Sequence, residues 1–128
     1  MADGDKKKTS EVEPDRAREL LSAERTRVEA ALAEHGRERS SQLSELDTEQ
    51  SGGDDAETLV EEQVGDAVAV SLRTELEAIE RAEQRLENGS YGLSVESGEP
   101  IPAGRLEKIP YAERTIKEQE MRERGGAQ

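Results

Sequence analysis

The chain has no cysteine, no phenylalanine and no tryptophan, and only two tyrosines among its 128 residues. Without cysteine there is neither a disulfide nor a thiolate metal site, so cysteine usage does not indicate a redox compartment. With 2% aromatic and 31% hydrophobic residues, a wide globular core cannot be filled. Long apolar runs are also missing. No stretch approaches the roughly 20 apolar residues of a membrane span, and residues 1–10 lack the apolar segment of a secretory signal, so a cytoplasmic protein with no membrane partner is expected. Positive charge is scarce as well, with 18 Lys and Arg against 31 Asp and Glu for a net charge of −13. Sequence-independent binding of nucleic acid depends on cations neutralising phosphates, so no direct nucleic-acid partner is expected. Docking on a basic protein surface fits better.

What is present is charge, at 38% of residues, interleaved with thin apolar stripes. Long helices paired side by side fold on such stripes and leave the rest of their surface charged. The expected fold is mainly α: a long antiparallel coiled-coil helical hairpin over residues 13–88, followed by a small turn-rich knob and a C-terminal helix over 89–124. Residues 1–12, with the run Lys6, Lys7, Lys8, and residues 125–128 are expected to be flexible tails.

Ser10 and Glu13 have capping-box spacing, and Pro14 is acceptable in a first helical turn, which places a helix start here. Leu21, Val28 and His35 recur every seven residues, with Leu32 and Leu46 on the adjoining heptad position. The loop-forming run from Asp47 to Asp55, with Gly52 and Gly53, turns the chain, so the tip is expected near 47–56. A second helix follows, with Leu72, Ile79 and Leu86 at the same spacing and Val68 and Ala82 beside them. Gly65 is a weak point in it, worth about 1 kcal/mol against Ala, and Asn88-Gly89 is a C-terminal stop. Two such helices joined by a short glycine-containing turn should lie antiparallel. Asp54, with Glu57 three residues on, fits a helix N-cap, and Asp55 fits one equally well.

Catalytic constellations are lacking. Ser94 and Ser97 have no nearby histidine to act as base, and His35 sits on the apolar stripe with no second His or Cys to complete a metal site. The sequence is therefore read as a non-enzyme with no cofactor. Arg105 and Lys108, beside Glu107, are candidate contacts to a protein surface or partners of the acidic helices.

The stretch from Tyr91-Gly92-Leu93-Ser94-Val95-Glu96-Ser97-Gly98-Glu99-Pro100-Ile101-Pro102 through Gly104-Arg105-Leu106-Glu107 to Pro110-Tyr111-Ala112 resembles the C-terminal zinc-finger module of the DksA/TraR-like family. That pattern has a Tyr-Gly, a C-x-x-C knuckle, a Gly-x-Pro-Ile turn, an Arg-Leu-Glu, a Pro-x-Ala and a second C-x-x-C. The four ligand positions here are Ser94, Ser97, Thr115 and Glu118, which do not hold zinc as thiolates do. Packing of Leu93, Val95, Ile101, Leu106, Ile109, Tyr91 and Tyr111 is expected to replace the metal.

The resemblance implies a monomeric regulator whose hairpin enters the secondary channel of RNA polymerase. The family's acidic tip pattern falls on Ser51, Asp54 and Ala56. The second acidic position and the alanine match, and Asp55 is the neighbouring carboxylate. In this reading Arg105 and Lys108 are candidate polymerase contacts. The guanosine tetraphosphate positions of nucleotide-responsive relatives fall on Ala78, Ile109 and Gln119. None is positively charged, so no such response is expected. The alternative is a coiled-coil adaptor or self-associating protein that keeps the fold without regulating polymerase.

Overall fold

The computed structural model describes residues 8–49 and 55–126, with side-chain surroundings for 8–45 and 66–125. Four helices follow in order: α1 (Pro14–Glu49), α2 (Asp55–Asn88), α3 (Ala103–Lys108) and α4 (Ile116–Gly126). Apart from an isolated antiparallel bridge between Leu93 and Pro100, the regular structure among the described residues is helical. α1 and α2 form the expected hairpin. Two compact units divide it: Met1–Glu24 with Ala78–Gln128, and Arg25–Glu77.

The long helices form because their residues are mostly Ala, Leu, Glu and Arg, which lose little freedom in a helix. Pairs three or four residues apart add support, among them Arg18 with Asp15 at 2.7 Å, Arg25 with Glu29 at 2.8 Å and Arg37 with Glu34 at 2.6 Å. Each is worth about 0.2–0.5 kcal/mol. Gly65 lies within α2 and does not end it. α2 stops where the glycine signal places it. Gly89 adopts φ +87°, and the amides of Ser90 and Tyr91 return to the Arg85 carbonyl at 2.8 and 3.1 Å, which satisfies a carbonyl the helix leaves open.

In the unit of Arg25–Glu77, Val28 and Ala69 are buried, Leu32, His35, Leu72 and Leu76 are half-buried, and Arg27 meets Glu75 across the hairpin at 2.7 Å. His35 thus occupies the stripe as expected. Val68 does not: it is 50% exposed and Ala69 takes the seam. An α-helix drifts about 20° per heptad relative to a strict seven-residue repeat, so a position extrapolated over two heptads from Ala82 leaves the contact.

The other unit holds the start of α1, the end of α2, the knob and α4. Its core comprises Ala17, Leu21, Ile79, Ala82, Tyr91, Ile101, Leu106, Pro110 and Ala112. Within the knob, the Ser94 amide donates to the Glu99 carbonyl and the Ile101 amide to the Gly92 carbonyl, both at 2.8 Å, closing a small hairpin whose turn includes Gly98 at φ +76°. Val95 (49% exposed) and Ile109 stay at the surface, against expectation. Their places in the core are taken by Pro110 and Ala112. Val95 sits in the knuckle turn and Ile109 just beyond α3, where the backbone is turning and both side chains project outward.

The N-terminal tail expected over residues 1–12 is also revised for its described part. Val12 is buried at 5% exposure, and Glu11 accepts a hydrogen bond from the Ala103 amide at 2.8 Å. Ser10 does not cap α1 through the expected box: its hydroxyl accepts from the Val12 amide at 3.1 Å, and Pro14 opens the helix. A buried apolar side chain and fixed polar partners hold this segment on the knob although it has no helical periodicity.

Candidate functional site

The four positions that would carry a finger's zinc ligands converge. Ser94, 5% exposed, donates its hydroxyl to the Glu118 carboxylate at 2.6 Å. The same carboxylate oxygen accepts from the Thr115 amide at 2.9 Å. Ser94 Oγ in turn accepts from the amides of Glu96 and Ser97 at 3.0 and 3.2 Å. Thr115 Oγ1 accepts from the Glu118 amide at 3.2 Å. Thr115 and Glu118 are thereby a reciprocal capping box at the start of α4. The spacing Thr115-Ile116-Lys117-Glu118 carried that signal in the sequence, where these residues were read only as lost ligands.

Convergent donors hold the Glu118 carboxyl at about 2, well below its ordinary 4.5. The Ser94 hydroxyl contributes most, then Ser97, then the Thr115 amide. Hydrogen bonds to a carboxylate favour its charged form. The contribution to stability is full above pH 4.5 and is lost as pH falls through about 2. The stability difference between the wild type and Glu118→Gln should therefore shrink over that acid interval in urea titrations. A difference that stays constant with pH would remove Glu118 ionisation as its cause.

The donor set does not fit zinc. It offers one carboxylate, already engaged by hydroxyls and an amide, and three neutral hydroxyls, where structural zinc takes four thiolate or imidazole ligands. Among the described residues no cluster of His, Cys, Asp or Glu is arranged to hold a metal ion. The carboxylate does by hydrogen bonding what a metal does by coordination: it ties the Ser94–Ser97 turn to the first turn of α4.

Each member of the Arg-Leu-Glu triplet is engaged within the molecule, although Leu106 alone is buried. Arg105 Nε donates to the Arg114 carbonyl at 2.8 Å, Leu106 is fully buried, and Glu107 takes Arg16 in a two-pronged pair at 3.0 and 2.6 Å. The Arg16 partner holds the Glu107 carboxyl below its ordinary range. Lys108 is exposed at the end of α3.

Glu113 is a residue that the sequence reading missed. Burial alone would raise its pKa, yet Arg81 at 2.7 Å and Arg85 at 3.1 Å outweigh that and lower it, joining α2 to the segment before α4. Arg85 Nε is buried without an acceptor. The Tyr91 hydroxyl donates to the Pro110 carbonyl at 2.9 Å, and burial pushes its pKa up to about 12.

Of the expected tip residues, Ser51 and Asp54 lie outside the described residues, and Asp55 and Ala56 enter only as the backbone of α2's first turn. No helix among the described residues is long and apolar enough to cross a membrane.

Fold and site together define a helical-hairpin protein with a finger-like knob closed by a carboxylate in place of a metal. No family model matches the chain. General stress protein 16O of Bacillus subtilis is 38% identical over 63 residues, which are 48% of this chain and 39% of that protein. The RNA polymerase-binding transcription factor DksA of Caulobacter vibrioides is 42% identical over 62 residues, 44% of each chain. The chain thus spans less than half the length of these curated relatives. The structure of transcription factor DksA2 from Pseudomonas aeruginosa superposes with a TM-score of 0.70 at 27% identity, covering 90% of this chain and 86% of that one. In sequence and in fold the chain is similar to the DksA/TraR-like regulators, and it lacks the cysteines of their zinc finger.

Proposed function

We propose that this protein is a transcription regulator that binds RNA polymerase through its secondary channel, with the tip around Ser51, Asp54, Asp55 and Ala56 near the active site and no direct contact with DNA. The observation that carries the reading is the likeness to DksA2 over 90% of the chain. It is supported by the retained knob and by the name of the Caulobacter relative, a polymerase-binding factor. The net charge of −13 agrees with action through protein rather than through phosphates. At the tip, carboxylates act as electrostatic effectors and perform no chemistry. Lys108, exposed, and Arg105, with its Nε committed internally, are the candidate contacts at the knob.

The test is retention on purified RNA polymerase core, comparing the intact chain with one whose residues 49–57 are replaced by a neutral turn. The intact chain should be retained, and the tip variant should lose its effect on transcription. Absence of retention at low and moderate salt would reject polymerase binding and favour an adaptor or self-associating coiled coil.

A further inference from the structure

We propose that residues 8–12 are a releasable clasp: the knob is ordered only while this segment is seated, whereas the two long helices form without it. The seat is specific. Gly92 has φ +83°, and a Cβ there would overlap the Ser10 hydroxyl and lie 3.3 Å from the Ser10 Cα. Glycine thus meets a backbone requirement and also leaves the space the segment fills. From this point the segment reaches both sides of the knob. Lys8 pairs with Glu99 on the finger turn, Glu11 accepts from the amide that begins α3, and Val12 is buried.

The knob needs such support, because a module this small rarely folds on its own core once a metal is gone. Its fully buried side chains are few, led by Ile101, Leu106 and Pro110. The clasp is also easily released. It has no regular secondary structure, its ion pair is half exposed on both sides and contributes little, and Val12 is its one buried apolar anchor. α1 begins after it, at Pro14, and keeps its own hydrogen bonds when the clasp leaves.

The chain supplies its own reporter. Both tyrosines, Tyr91 and Tyr111, are in the knob, and buried Tyr91 ionises only at about 12, against an ordinary 10. Two variants test the clasp: deletion of residues 2–12, and Val12→Asp in the full chain. Each is followed by far-ultraviolet dichroism for the long helices, tyrosinate absorbance for Tyr91, and exchange of the Ser94, Gly98 and Ile101 amides. The expected result is retained helix signal, a Tyr91 midpoint falling from about 12 toward 10, and amide exchange faster by roughly tenfold or more, as for local opening. Either variant that keeps the Tyr91 midpoint and the amide protection overturns the proposal. So does either one that loses helix and knob together, since the segment would then belong to a single cooperative unit.

Discussion

Replacing Ser94, Ser97, Thr115 and Glu118 together by cysteine is expected to create a tetrahedral zinc site where the present donors do not fit the metal. The four side chains already converge, with Ser94 Oγ 2.6 Å from Glu118 and Thr115 capping the same helix turn. The amides of Glu96 and Ser97 are aimed at the first ligand position. Four thiolates at a closed site bind zinc with about 10–16 kcal/mol at neutral pH in small zinc-finger peptides. At a thousandfold excess of free zinc over Kd the folded state gains about 4 kcal/mol. Native mass spectrometry should find one zinc per chain, and a chelator should lower the melting temperature of the variant while leaving the wild type unchanged. A quadruple variant that binds no zinc would show that the convergence belongs to the hydrogen-bond network alone and not to a preserved ligand geometry. The single change Ser94→Ala tests the network from the other side. It leaves two amides without their acceptor and should cost about 1–3 kcal/mol.

Leu106→Ala is expected to cost about 2–5 kcal/mol, the range for emptying a large buried side chain from a core that cannot collapse around it. Leu106 is fully buried, and the neighbouring triplet members are tied by the Arg105 contact to the Arg114 carbonyl and the Arg16–Glu107 pair, so little can shift to fill the space. Domains of this size are stable by only about 5–15 kcal/mol, so the loss should be visible as an early transition in urea unfolding followed by tyrosine signals. Val95→Ala and Ile109→Ala, at exposed positions, should stay within about 0.5 kcal/mol. If the exposed pair cost as much as Leu106, the assignment of the knob's core would be wrong.

The site was legible in the sequence as positions and not as an arrangement. The resemblance to the family's finger placed Ser94, Ser97, Thr115 and Glu118 at its ligand positions, and the lack of thiolates argued against zinc. What those residues do instead depends on a hydrogen bond between groups 24 residues apart, and no local pattern encodes that contact. Glu113 was invisible for the same reason: its partners Arg81 and Arg85 lie on α2, and its role is an ion pair across the chain. The clasp was misread because a short polar segment has no periodicity, while its docking is set by space left at Gly92, over 80 residues downstream.

Local rules alone determined the helical class of the protein and the stop of α2 at Gly89, because helix propensity, heptad spacing and glycine conformation act over a few residues. They also identified Leu21, Val28 and Ile79 as buried. Tertiary structure decided the rest. It put Ala69 in the seam in place of Val68 and left Val95 and Ile109 at the surface. It also made Glu118 the centre of the knob. These outcomes depend on which surfaces meet and on where a charge finds donors enough to stay ionised, and both are set by contacts between segments far apart in the chain.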